Sequence, residues 1–185
     1  MSQRNTLVRS LHDLGLAAWF GGTLMGAVGL NGAAAKAQDP TERLRLSSIG
    51  WGRWAPVELA AIVTHGIGGV GLILGNTGRL AVQGEARSNT IVKLGFTALA
   101  GTATLYSAFL GTRIAKHANE GAEGVTEPGA TTSKELAGVQ RQQKLLQWTL
   151  PLLTGVLVVL AAQQGEQQRP AAGFVKRTVD SVLHR

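Results

Sequence analysis

Four long stretches without charge dominate the pattern of hydrophobic and polar positions. They run over Leu14–Ala35, Leu59–Gly78, Leu94–Thr112 and Leu145–Gly165, and none of them contains Asp, Glu, Lys or Arg. Each is about as long as the ~20 residues that a helix needs to cross roughly 30 Å of hydrocarbon. The pattern predicts an all-α integral membrane protein, a four-helix bundle with short interfacial helices, forming one membrane domain over residues 1–185.

The spans predicted from these stretches cover residues 11–33, 56–76, 91–114 and 145–163. Composition agrees, because only 16% of the residues are charged, whereas a soluble domain carries about 25%. The chain has no cysteine, which excludes disulfides, thiolate nucleophiles and Cys-ligated metal sites. Any cofactor would depend on His, carboxylate, Met or backbone ligands.

The segment before the second span carries a helix start and two tryptophans. Residues 39–42 read Asp-Pro-Thr-Glu, a good N-cap followed by Pro at the first helical position. This predicts a short helix over Pro40–Ser48 that lies at the membrane surface. Trp51 and Trp54 follow, and indole rings favour the headgroup region. We therefore expect both to mark the membrane interface.

Two further segments are polar. Ala118–Thr132 is rich in Gly, Ala, Glu and Thr and is predicted to be an exposed, mobile loop. In the tail, residues 170–185, apolar positions such as Phe174 recur at helical spacing, while Lys176 and Arg177 lie mostly on the other side. This favours an amphipathic helix on a membrane or on a partner protein, with a frayed terminus as the alternative.

The net charge of +7 would suggest nucleic acid in a soluble protein. Here the basic residues sit beside apolar stretches, so anionic lipid headgroups are the expected partner and nucleic acid is not. Lys and Arg divide nine to nine between the two sides of the predicted topology, which favours neither orientation. The excess of Arg over Lys and the richness in Ala and Gly suggest a GC-rich bacterial genome, so the four predicted spans are expected to form a multi-pass protein of a bacterial plasma (inner) membrane.

Glycines at helix-packing spacing occur in two spans. Gly22 and Gly26, and likewise Gly71 and Gly75, form G-x-x-x-G pairs, which let helix backbones approach closely. They predict a specific packing face, whose partner is either another helix of this chain or another chain. The alternative is the ordinary enrichment of small residues in membrane helices.

His65 lies near the middle of the second span and precedes Gly66. An ionisable residue at this depth is a functional candidate by default. A histidine beside glycines could ligate a haem. It could also be a neutral imidazole bonded to another helix, or take part in proton or quinone chemistry.

The first span reads Leu-His-Asp-Leu-Gly-Leu-Ala-Ala-Trp-Phe-Gly-Gly over residues 11–22. This resembles the opening helix of small bacterial membrane families, among them the copper-resistance D-like proteins. In some related families a histidine on this helix is associated with haem b, and the resemblance makes His12 a candidate ligand beside His65. By helix rise, His65 lies roughly 13 Å below the membrane face opposite to that of His12. A shared haem would therefore require a tilted helix, or a first span that starts nearer Leu7.

No phosphate-binding loop, hydrolase motif or metal-spaced cluster occurs in the sequence. The expected function is that of an integral membrane protein without a catalytic site, with no cofactor predicted, acting as an accessory or structural subunit. Its expected partners are the bilayer and other membrane subunits or a second copy. One alternative is a small b-type haem or quinone-linked redox protein. Another is a protein that handles small solutes or lipids.

Overall fold

The computed structural model describes residues 6–166, apart from the side chains at positions 79, 85, 165 and 166. All regular elements in this part of the chain are helices. In chain order they are α1 (Thr6–Met25), a π-helical turn (Gly26–Leu30), α2 (Asn31–Ala34), α3 (Pro40–Leu74), α4 (Thr77–Val82), α5 (Gly84–Lys116), a 3-10 turn (Ala118–Glu120) and α6 (Lys134–Glu166).

Four helical segments are long and apolar enough to cross a membrane, namely Thr6–Ala34, Pro40–Leu74, Ala86–Lys116 and Lys134–Gln164. This confirms the all-α four-helix bundle and indicates a multi-pass membrane protein. Many large apolar side chains face outward, as expected where the solvent is lipid, among them Leu59, Val63, Ile67, Leu99, Leu105, Phe109 and Leu152. The coarser prediction of contact with a lipid bilayer is thus supported.

Inside the bundle, α1 packs against α3 and α6, and α5 packs against α6 and α3. One apolar cluster fills the centre with Leu16, Trp19, Ala100, Leu153 and Leu157. A second cluster, which includes Leu44, Leu110 and Leu136, lies where the loop after α5 returns to the bundle.

Direct backbone contact between α1 and α3 depends on two glycines. A Cβ on Gly15 would lie 2.5 Å from the backbone oxygen of Ala61 and the backbone nitrogen of His65. A Cβ on Gly68 would lie 2.6 Å from the backbone oxygen of Val8. Small residues permit this approach in lipid, where no hydrophobic drive brings helices together. It sets the two antiparallel helices in register.

The glycines of the predicted packing pairs lie against side chains of the same chain. Gly22 faces the indole of Trp54, Gly26 faces the indole of Trp51, and Gly71 faces Val8. The fourth glycine, Gly75, is the exposed C-cap of α3.

A separate surface helix over Pro40–Ser48 is not observed, because α3 runs without a break from Pro40 to Leu74. Its start is as predicted: Asp39 accepts from the backbone N–H and the hydroxyl of Thr41, at 2.8 Å each, and these bonds hold the pKa of the Asp39 carboxyl below its usual value. The helix continues because Leu44 and Ser47 are buried in the bundle.

Residues 118–132, here called the end loop, are not the exposed segment that composition predicts. Ala122, Val125 and Thr126 are buried. The Arg43 guanidinium donates to the backbone oxygens of Ala37 at 2.8 Å, Ala122 at 3.1 Å and Glu123 at 2.9 Å. These bonds, with the amide of Gln140 donating to Val125 at 3.1 Å, satisfy the carbonyls that water would otherwise bind.

Two local features shape the end loop. Gly121 has φ +72°, which a residue with a Cβ rarely adopts, and this turn brings the backbone N–H of Ala122 to 3.2 Å from the oxygen of Pro40. At the other end, the carboxylate of Glu120 accepts from the backbone N–H of Ser133 at 2.8 Å. That bond, together with the nearby His117, holds the pKa of Glu120 below its usual value.

The π-helical turn precedes a buried polar node. Asn31 Oδ1 accepts from the Ser47 hydroxyl at 3.0 Å and from the Trp51 indole N–H at 2.9 Å. Its amide donates to Gln147 at 3.1 Å. One asparagine thus links α2, α3 and α6 at the level where the end loop meets the bundle.

Replacing Arg43 by glutamine should release the end loop. The shorter neutral side chain leaves the backbone oxygens of Ala37, Ala122 and Glu123 without a charged donor, and we expect a loss of about 2 kcal/mol in free energy of unfolding. Thermal unfolding in detergent and limited proteolysis within residues 118–132 measure this. The control is Arg45→Gln, which removes only an exposed pair with Glu42. Equal protease resistance in both variants would contradict the anchoring role of Arg43.

Candidate functional site

His12 and His65 lie side by side between α1 and α3. Their ring centroids are 4.2 Å apart, with an angle of 40° between the planes, and the residues are only 4% and 3% exposed. The difference in depth expected from the sequence disappears because α1 already begins at Thr6. The close contacts at Gly15 and Gly68 then place the two histidines at one level.

The hydrogen bonds of the two rings fix where their protons lie. His65 Nδ1 is 3.0 Å from the backbone oxygen of His12, and because a carbonyl can only accept, this nitrogen carries a proton. His12 Nδ1 is 2.9 Å from the carboxylate of Asp13, which likewise accepts. In the neutral form of each ring, Nε2 therefore holds a free lone pair.

Both histidines line a cavity of about 220 Å³. Its walls are largely apolar and include Val70, Ile73 and Leu94. Lys93 and Gln164 add polar groups, and the Lys93 ammonium donates to Gln164 Oε1 at 3.0 Å. The cavity thus combines nitrogen lone pairs from the imidazoles with a buried cation that has further N–H donors.

Lys93 is the site residue that the sequence does not reveal. It falls at the very start of the predicted third span, residues 91–114, and the count of charges by topology assigns it to the side of the loop before that span. In the structure α5 begins at Gly84, so Lys93 lies more than two turns inside the helix and is 9% exposed. A helical continuation upstream of Ile91 is the signal that could have found it.

Trp19 connects the histidine pair to α5. Its ring lies edge-on to His65, with centroids 6.1 Å apart and planes at 62°. Its indole N–H donates to the Thr104 hydroxyl at 3.1 Å. The side chain is fully buried, so it holds the histidine pair against the apolar centre of the bundle.

The residues predicted for the membrane interface lie apart from this site. Trp51 and Trp54 direct their rings at glycines of the first helix, and the N–H of Trp54 has no hydrogen-bond partner among the described residues. Their interfacial role stays a prediction. Phe174, Lys176 and Arg177, with the whole predicted tail helix, lie outside the described residues.

A haem bound by both histidines needs its porphyrin plane between the two rings, with metal–nitrogen bonds of about 2 Å. The rings instead stack at 4.2 Å, and Gly15 and Gly68 keep the helix backbones in contact at this level. The pair does not fit a haem shared between its rings. Haem b held by one histidine alone stays a prediction from the resemblance.

Comparison with known family models, curated proteins and solved structures gives no match for this chain. Within residues 6–166, no group of three or more His, Cys, Asp or Glu side chains is placed to hold a metal ion. The chemistry of the site therefore rests on the histidine pair, Lys93 and the cavity that they share.

Proposed function

We propose that this chain is a membrane subunit without a catalytic centre of its own, which binds the head group of a lipid-soluble hydroquinone. This joins the accessory role with the quinone-linked alternative. The observation that carries it is the cavity that His12, His65 and Lys93 line together.

The chemistry of a hydroquinone matches that cavity. One hydroxyl of the ring would donate to an imidazole Nε2, whose lone pair is free because Nδ1 donates elsewhere. The oxygen on the far side of the ring would accept from the ammonium of Lys93, which has donors beyond the one used by Gln164. A buried polar group costs free energy unless it is hydrogen-bonded, so a ligand that supplies both partners stabilises the site.

The surroundings also suit a ligand that arrives from lipid. Both histidines and Lys93 lie in helices apolar enough to span a membrane, and apolar side chains such as Val70 and Ile73 form much of the wall. Ligand sites are typically apolar clefts with a few placed polar groups. A flat ring on an isoprenoid tail fits this setting better than a soluble metabolite.

The direct test measures binding of decylubiquinol to the purified chain in detergent. His65→Phe keeps a planar ring but removes both nitrogens, and we expect an affinity loss of about 10- to 100-fold, the cost of hydrogen bonds in a buried site. The matched control is His117→Phe, because His117 pairs with Glu120 and does not line the cavity.

Two results would sink the proposal. One is undiminished decylubiquinol affinity in His65→Phe. The other is a Soret band in the protein purified from its native membrane that disappears in His65→Phe, which would make the chain a haem protein.

A further inference from the structure

A second cavity, of about 290 Å³, lies among α3, α5 and α6 on the side of the end loop. None of its lining residues lines the histidine cavity. It includes Glu58 of α3, Gln143 of α6 and Ser107 of α5, and Val125 brings the end loop to its wall. It is therefore a separate site with its own chemistry.

Two of its polar groups lack a partner. Gln143 is 9% exposed, and its Oε1 is buried without a hydrogen bond from any described residue, while its amide nitrogen donates to Ser107 at 2.8 Å. Glu58 makes no hydrogen bond or ion pair with any side chain or backbone group that the structure describes. An ionisable residue in a membrane span normally faces a partner charge or a functional cavity.

Several polar groups that line the second cavity donate their protons to other residues. The hydroxyl of Thr23 donates to Phe20 at 2.9 Å, and that of Thr112 donates to Phe109. The Ser47 hydroxyl and the Trp51 N–H both donate to Asn31. These four groups turn no free proton toward the cavity, so they leave the Glu58 carboxyl and Gln143 Oε1 without a donor.

We propose that this cavity binds a small primary alkylammonium ion. Its N–H groups donate to the Glu58 carboxylate and to Gln143 Oε1, which leaves neither acceptor unpaired. Its short chain lies against apolar lining residues such as Ala108 and Leu150. A volume of about 290 Å³ is near the lower end of the ~300–1,000 Å³ of small-molecule pockets, which is ample for a short-chain amine.

The position of Glu58 in a membrane-spanning helix is the reason to expect a positively charged ligand. A carboxylate taken out of water without an opposite charge is costly, and pairing with a hydrogen-bonded cation offsets that cost. A neutral alcohol of the same shape donates one proton and brings no charge. The site should therefore distinguish strongly between an amine and an alcohol of equal length.

Calorimetric titration of the full chain in detergent tests this with n-butylammonium chloride, and with n-butanol as the neutral probe of matched shape. We expect saturable binding of n-butylammonium and at least about tenfold weaker binding of n-butanol. Glu58→Gln should weaken n-butylammonium binding by about tenfold or more, since it removes a charged acceptor. Glu42→Gln is the control, because Glu42 lies on the same helix but is exposed and pairs with Arg45.

A second variant keeps the test decisive if Glu58→Gln does not fold. Gln143→Leu removes the unpaired acceptor at similar volume, and we expect it to fold, with n-butylammonium binding weakened by about tenfold. Equal affinity for n-butanol and n-butylammonium would overturn the proposal. So would full n-butylammonium affinity in Gln143→Leu, or an equal loss in Glu42→Gln.

Discussion

Gly68→Leu is expected to drive α1 and α3 apart and to abolish ligand binding at the histidine pair. A Cβ at this position would lie 2.6 Å from the Val8 oxygen and 2.7 Å from the His12 Cα. Both are backbone atoms, so no side-chain rotation relieves the contact, and the helices must separate. We expect decylubiquinol affinity to fall by more than about 100-fold, and the free energy of unfolding to fall by about 1–3 kcal/mol from overpacking.

The matched control for Gly68→Leu is Gly95→Leu. Gly95 is an exposed glycine of α5 with open space around its Cβ position, and it lines neither cavity. The Gly95→Leu variant has the same change in helix propensity as Gly68→Leu and should leave decylubiquinol affinity unchanged. Thermal unfolding and decylubiquinol titration of both variants separate the effects. Wild-type affinity in Gly68→Leu would mean that close approach of the two helices is not needed for the site.

Trp19→Ala is expected to destabilise the bundle more than Gly68→Leu does. The side chain is fully buried and packs within the central apolar cluster, and truncation of such a residue costs about 3–5 kcal/mol. Trp19→Phe keeps a ring but loses the hydrogen bond to Thr104, and should cost roughly 1 kcal/mol more than the change in packing alone. Equilibrium unfolding in mixed micelles measures both.

Trp148→Ala is the comparison for Trp19→Ala. Trp148 lies on α6 and is 53% exposed, so its removal should change the free energy of unfolding by well under half as much. If the two alanine variants lose equal stability, the central cluster around Trp19 is not what holds the bundle together.

The membrane bundle is predictable because charge is excluded from hydrocarbon whatever the tertiary structure. The lack of charged residues in a stretch such as Leu59–Gly78 is enough to predict that this stretch lies in lipid. The ends of the helices are not predictable in this way. Leu44 and Ser47 belong to α3 because they pack on the bundle, and local composition carries no record of that packing.

The same reasoning explains why His65 could be predicted from the sequence as a site residue and Lys93 could not. His65 stands out in the sequence because it is an ionisable residue inside an apolar stretch. Lys93 does not, because its burial depends on Gln164, which is 71 positions away in the chain. Composition likewise predicts an exposed end loop, because the donor that orders it, Arg43, is 79 positions from Ala122.

The π-helical turn at Gly26–Leu30 has a consequence for how much this helix can change in length. A π turn takes up one extra residue, so each residue after it is rotated by about 100° from the direction that it would have in a regular α-helix of the same sequence. That rotation aims Asn31 at Ser47, Trp51 and Gln147. Deleting a single residue from the turn would restore a regular helix and leave the asparagine aimed at its three partners, whereas closing the turn without a deletion would swing it away by about 100°. Homologous chains that keep the node should therefore have either this number of residues between Gly22 and Asn31 with a π-helical turn, or one residue fewer with a regular helix.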